Sequence, residues 1–488
     1  MFVHILSFLF SLQCLLRHTS AHHLCSLQAC TATDPTVMPS GQPAGDMSTH
    51  PTLQVTPQSG LADGLLDIRA TGLCPGQPVT IQAEVRTECQ RFVFQSSAVF
   101  KADSQGEVAV ARQPSLGGTY EGIEPMGLIW SCKPVPAVAH LYPRVKKTDS
   151  RVPLRYTLRL VSHESPGQEE LASVVMERRY LADHVERHEF TEGKAHGVFF
   201  LPKQRGSSDP LPVVIELRGM GNGILEDRAS LLASHGYAVF ALDFLKSIVV
   251  GDKRDTYYFD SQAILDVFEY ISQHARLDER RVGMFGFCTG STLVIHCAAR
   301  LNLPIRCLVF TSLLEAFSCV LGMKLPDGRL IHPIGTLQDF AEVYEKDGYR
   351  WFRTYPLEEV PLDLEADNVI NDCIAPVENI SVPVLLLVSG DDQYATSKNR
   401  MRLVRERMIA AGKGHLVQSH LMEGMGHLVD APYMPIVTQS SLKFPMEPKP
   451  SFTTWGGTTK PYAHSIEKSW HLMLDYFKEH LKPTELYR

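Results

Sequence analysis

The chain has 488 residues, a net charge of -7, 44% hydrophobic residues and 21% charged residues. That is the composition of a water-soluble globular protein, and the length calls for more than one core. No block of lysine and arginine marks a nucleic-acid surface.

The first stretch, "MFVHILSFLFSLQCLLRHTSAHH", is apolar from Phe2 to Leu16. It is short for a membrane span, and "TSA" at 19–21 offers a peptidase its small residues. Residues 1–21 therefore read as a signal peptide or leader, pointing to the secretory pathway, with no stable membrane span in the mature chain. A mitochondrial presequence would want several arginines, and only Arg17 is present. Residues 22–52 are rich in Pro, Ser, Thr and Gly and read as a disordered linker.

From 53 to 188 the pattern is short and alternating. "LLDIRATGL", "QPVTIQAEVRT", "FVFQSSAVFKAD", "GEVAVARQ" and "YTLRLVSH" are strands punctuated by Gly, Pro or Asp. The expectation is an all-β, immunoglobulin-like sandwich. From 189 to 488 the pattern changes. Residues 211–217, 237–242, 281–286, 305–311 and 382–389 are continuous apolar runs, as strands buried on both faces of a parallel sheet require. Helical stretches lie between them. One carries Ile264, Val267, Phe268 and Ile271 on one face, and the last repeats Ile466, Trp470, Leu474, Phe477 and Leu481. Alternating strands and helices predict an α/β domain with a mostly parallel sheet.

The eleven cysteines are irregularly spaced and form no CxxC pair, so no metal site is expected. Cys25 and Cys30 would pair only in an exported chain. Cys297 and Cys307 sit in apolar runs and read as buried thiols. The sequon at Asn379-Ile380-Ser381 abuts a buried strand and reads as a chance occurrence. The last residues, "ELYR", are not a peroxisomal tripeptide.

One cysteine stands apart. In "VGMFGFCTGS" (282–291), Cys288 lies between Gly286 and Gly290, after a strand and before a helix. This is the tight turn on which α/β-hydrolases present a nucleophile. The helix N-terminus favours the thiolate, and the N–H of Thr289 is positioned to donate to an oxyanion. Taken alone, the motif also fits a core cysteine between structural glycines. The same fold needs an acid after a later strand and a histidine after the last one. "VPVLLLVSGDDQYA" supplies Asp391 and Asp392, of which Asp392 is favoured by its distance from the loop glycine. "GMGHLVDAPY" supplies His427. The loop "RGMGNG" looks like a dinucleotide fingerprint, but its third glycine position is Ile224. In a hydrolase the loop gives the second oxyanion donor, Met220 or Gly221.

Long stretches carry a resemblance. "ATGLCPGQPVTIQAEV", "LGGTYEGIEPMGLIWS", "LEDRASLLASHGYAVFALDF", "FGFCTGS", "GMGHLVDAPYMP" and "WGGTTKPYAHSIEKSW" resemble the bile acid-CoA:amino acid N-acyltransferase and type I acyl-CoA thioesterase family. The resemblance runs from about 53 to the C-terminus. It implies a β-sandwich followed by an α/β-hydrolase domain, an acyl-CoA substrate, and a triad of Cys288, Asp392 and His427. The family's thioesterases typically have serine as nucleophile and its N-acyltransferase has cysteine, so Cys288 sides with the latter. The acceptor would be water, or the amine of glycine or taurine. No cofactor is expected, coenzyme A being part of the substrate. The competing readings are a carboxylesterase or lactone hydrolase on the same fold, and a binding protein with a retired site.

Overall fold

A computed structural model describes residues 50–163, 169–203, 209–220, 223–251, 256–317, 321–334, 341–354, 372–395, 397–442 and 451–482. The leader, most of the linker with Cys25 and Cys30, and Gly221 lie outside the described residues.

The chain's largest sheet has eight strands: β1 (Val185–Glu192), β2 (Ala195–Pro202), β3 (Leu211–Leu217), β4 (Ala238–Leu242), β5 (Leu277–Phe287), β6 (Ile305–Thr311), β7 (Val384–Ser389) and β8 (Val417–Met422). Their spatial order is 1-2-4-3-5-6-7-8. The first two strands pair antiparallel and the rest run parallel. This is an α/β-hydrolase domain. Its first strand begins at Val185, ahead of residue 189, so the sheet takes up the end of the region read as sandwich.

The apolar runs form strands because both sheet faces are covered. Along β3, Val213 and Ile215 enter one buried cluster and Val214 enters the other. Leu385 and Leu386 of β7 divide the same way. That alternation is the pleat, with period two. Helices α1 (Asp227–Ser234), α2 (Gln262–Gln273), α3 (Thr289–Arg300), α4 (Ser397–Ala410) and α5 (Thr459–Leu481) cover the faces. Ile264, Val267, Phe268 and Ile271 of α2 are all buried, as their spacing predicts. The last helix starts at Thr459, ahead of the periodic stretch. Pro461 sits in its first turn, where a missing N–H costs no helical hydrogen bond.

Before the sheet, Thr52–Thr56, Asp67–Thr71 and Val108–Ala109 form a three-stranded sheet. Six further strands, led by Pro78–Arg86, Val93–Lys101, Leu154–Ser162 and Glu170–Arg179, form the second. All pair antiparallel except Ser59–Leu61, which runs parallel to Glu170–Arg179. The apolar faces of both sheets share one buried cluster with Phe285 of β5 and Trp470 of α5. The described residues thus make one compact unit. No helix among the described residues is long and apolar enough to cross a membrane.

A buried ion pair fastens α1 to the sheet. Arg228 donates from Nε and Nη2 to Glu216 Oε1 of β3, at 3.1 and 2.9 Å, and from Nη1 to the carbonyl of Val429. Its guanidinium lies 4.3 Å from the centroid of Phe285. Burial pulls its pKa down to about 10, helped by Arg218 and opposed by Glu216. Replacing Arg228 by methionine would leave Glu216 charged and unpaired in the interior. We expect a loss of about 3–5 kcal/mol, read by urea unfolding. A loss under 1 kcal/mol would show that the pair contributes little.

Candidate active site

Strand β5 ends at Phe287, and Cys288 turns the chain into α3 with φ 54° and ψ -126°. A residue with a side chain pays strain for positive φ, and the packing here enforces it. A Cβ on Gly286 would lie 2.5 Å from Cα of Ser291, and one on Gly290 would lie 2.1 Å from the carbonyl oxygen of Leu217. The turn therefore closes only with glycine at both positions. The N–H of Cys288 donates to the Thr311 carbonyl at 3.3 Å, tying the turn to β6. Thr289 is the first residue of α3, where an N–H has no partner within its helix.

The loop after β7 presents two aspartates, and they part company. Asp391 accepts from the N–H of Gly457 at 2.9 Å and from Gln393 Nε2 at 3.1 Å. Asp392 Oδ2 accepts from His427 Nδ1 at 2.9 Å and from the Ser397 hydroxyl at 2.6 Å. Its Oδ1 accepts from the N–H groups of Tyr394 and Ala395 at 3.0 and 2.9 Å. Four donors hold this carboxylate in one orientation, and Asp392 is the one that faces the imidazole.

His427 is 1% exposed and follows β8. Its N–H donates to the Trp455 carbonyl at 2.8 Å, and its own carbonyl accepts from the Ser312 hydroxyl at 2.9 Å. The ring sits among three aromatics: Trp455 stacked at 5.6 Å, Tyr394 at 4.5 Å and Phe287 at 5.4 Å. With Nδ1 committed to Asp392, Nε2 is the ring nitrogen left free to serve Cys288, which lines the same cleft and favours a positive charge on the ring. Burial disfavours the imidazolium, yet Asp392 and Cys288 together raise its pKa from 6.5 to about 10. The site favours a protonated ring beside sulfur.

Cys288, Thr289, Met220 and His427 line one cleft. The thiol, 9% exposed, is thus at a cavity wall and not sealed in the core. In the loop after β3, a Cβ on Gly219 would lie 2.9 Å from Cβ of Cys288 and 3.1 Å from Sγ. Of the two residues expected to give the second oxyanion donor, Met220 lines the cleft and Gly221 lies outside the described residues, and sequence reasoning made no use of Gly219. It also missed the aromatic walls, although Trp455 opens the "WGG" motif and Tyr394 adjoins the acid loop. The cleft's cations, Arg144, Lys146 and Arg218, gave no sequence signal beyond ordinary surface charge. Cys297 and Cys307 are buried free thiols away from this cleft.

An α/β-hydrolase sheet with a cysteine at its nucleophile turn, and histidine and aspartate on later strand ends, defines a class of acyl-group enzymes. The comparisons narrow the class. Residues 63–192 match the acyl-CoA thioester hydrolase/BAAT N-terminal region, and residues 257–483 match the BAAT/acyl-CoA thioester hydrolase C-terminal region. The chain belongs to this family of thioester hydrolases and acyltransferases. It is 30% identical over 420 residues to mouse acyl-coenzyme A thioesterase 1, covering 86% of this chain and 94% of that protein. It is 31% identical over 441 residues to mouse bile acid-CoA:amino acid N-acyltransferase, covering 88% of this chain and 98% of that one. Mouse acyl-coenzyme A amino acid N-acyltransferase 2 is likewise 31% identical, over 438 residues.

Proposed function

We propose that the protein transfers acyl groups from coenzyme A through an acyl-Cys288 intermediate, to water or to the amine of an amino acid such as glycine or taurine. The observation that carries this reading is that Cys288 and His427 line one cleft while Asp392 holds the imidazole from behind through Nδ1. The Cys288 thiolate attacks the thioester carbonyl. The oxyanion is held by the N–H of Thr289 and by the loop at Gly219 and Met220. The bond from carbonyl carbon to the coenzyme A sulfur breaks, and the leaving thiolate takes the proton of His427. One thioester has replaced another, so little free energy is lost.

Acylation then changes the histidine. The sulfur loses its charge when it carries the acyl group, and with it go two of the contributions that hold the ring's proton. His427 becomes a better base at the moment an acceptor must be deprotonated. Water or amine gives its proton to the ring and attacks the acyl carbon. The bond to Cys288 breaks, and the thiolate–imidazolium pair is restored.

This switching is measurable. The ring proton of His427 is expected to persist to about pH 10 in the free enzyme and to leave at lower pH once Cys288 is alkylated with iodoacetamide. NMR titration of the imidazole reads both states. Equal values in the two would remove the switch. For the activity itself, the purified protein is incubated with palmitoyl-CoA or a bile acyl-CoA, with and without glycine or taurine. Free coenzyme A, free acid and amide are then weighed by mass spectrometry. Acid alone, whatever the amine, would make the protein a thioesterase only. Absence of coenzyme A release would end the reading and leave an esterase or a binding protein.

A further inference from the structure

Three cations reach the cleft that holds the thiol: Arg144, Lys146 and Arg218. Two are already matched. Arg144 pairs with Asp430, and Arg218 pairs with Asp227 and, at 3.0 Å, with Asp430. Burial works against the charge of Asp430, but these two arginines hold its pKa below the usual carboxylate range. Lys147, the next residue along, points elsewhere: its ammonium binds Glu88 and the carbonyl of Asp149. Lys146 differs from all of these. Among the described residues no carboxylate lies within 4.0 Å of its ammonium, and no hydrogen bond reaches it.

The surroundings of Lys146 invite an anion. Burial and the neighbouring charge of Arg144 together lower its pKa to about 8, with Asp430 only partly compensating. Beside it, Nε of Arg144 and Nε of Arg218 are buried donors with no partner among the described residues. Unpaired buried donors are costly and call for an acceptor. A carboxylate or sulfonate entering the cleft would give the ammonium of Lys146 its counter-charge and offset the positive charge crowded beside it.

We infer that Lys146 is the counter-ion for a small carboxylate or sulfonate carried by a reactant close to the acyl-Cys288 bond. This rests on the function proposed above and deepens it. The anion sits either on the amine acceptor or at the far end of the acyl group. The phosphates of coenzyme A fit less well, because the whole pantetheine arm separates them from the thioester, whereas Lys146 lines the same cleft as the thiol. The cation also explains a use for the N-terminal region in the reaction. Lys146 lies in the segment that ties this region to the hydrolase domain: the carbonyl of Lys147 accepts from the N–H of Glu226, and that of Tyr142 from the N–H of Ser441.

The test uses the full chain and pairs of reactants that differ by one charge. Glycine and taurine are compared with glycinamide and ethanolamine as acceptors. Adipoyl-CoA is compared with hexanoyl-CoA as donor. Each kcat/KM is measured for the native protein, for Lys146→Met and for Lys146→Arg. The native protein is expected to prefer the charged member of one pair, chiefly through KM. Lys146→Met is expected to shrink that preference by about tenfold or more, the size of a charge-assisted hydrogen bond, and Lys146→Arg to restore most of it. The pair that responds tells which reactant carries the anion. A ratio taken within one variant does not depend on how much of that variant folds. If Lys146→Met lowers both members of each pair equally, the lysine serves the coenzyme A phosphates or the fold, and the inference is wrong. It is equally wrong if the native protein has no preference while releasing coenzyme A. Failure to release coenzyme A from any thioester would instead overturn the proposed function, and this inference with it.

Discussion

Cys288→Ala is expected to lower coenzyme A release by about 10⁴-fold or more, with the fold intact. The side chain is small, lies at a cleft wall and carries no packing that alanine cannot replace in part. The loss is large because nucleophile and base act as one unit, so removing the nucleophile forfeits nearly the whole contribution. What survives is binding and the oxyanion donors. Single-turnover release of coenzyme A is the right readout, paired with intact-mass detection of an acyl adduct in the native protein and its absence in the variant. Turnover within tenfold of native would mean that the reaction does not pass through this sulfur.

Asp392→Asn is the second large effect, with an expected loss of about 10³–10⁴-fold in turnover. The carboxylate accepts from a ring nitrogen, a hydroxyl and two backbone N–H groups. An amide offers one oxygen and an NH₂ group, so at least one of those donors would face another donor. The neighbouring change, Asp391→Asn, makes the control. Asp391 anchors Gly457 and touches neither His427 nor Cys288, so its loss should fall mainly on stability. The pH profile separates the two further. Removing the charge of residue 392 takes away the strongest support for the imidazolium, so the His427 ring should lose its proton well below the native value of about 10. If Asp391→Asn harmed turnover more, the roles assigned to the two would have to be exchanged.

Much of the scaffold could be read from residue order because burial on two faces leaves a plain mark. The runs at 211–217 and 305–311 become β3 and β6 at those limits. The nucleophile turn was legible for a related reason: two close backbone approaches each demand a glycine, and those glycines bracket Cys288. Adjacent aspartates could be found but not told apart with certainty, since one residue of chain direction decides which meets the ring. The loop proposed to hold the oxyanion could be placed only to within a residue or two, because backbone donors leave no side-chain signature. Least legible were the groups whose meaning comes from a distant partner. Lys146 and Lys147 are identical in sequence terms, and the extended segment sends one to Glu88 and the other to the cleft. Trp455, Tyr394 and Phe287 come from three separate parts of the chain and meet only around one imidazole.

That aromatic enclosure has a mechanical consequence. A ring stacked on Trp455, flanked by Tyr394 and Phe287, and pinned at Nδ1 is unable to swing toward an incoming nucleophile. The proton's docking point stays still, and the acceptor must travel to it. Under the proposed function, the choice between solvent and amine would turn on which molecule the cavity, through its shape and its cations, delivers to a stationary nitrogen.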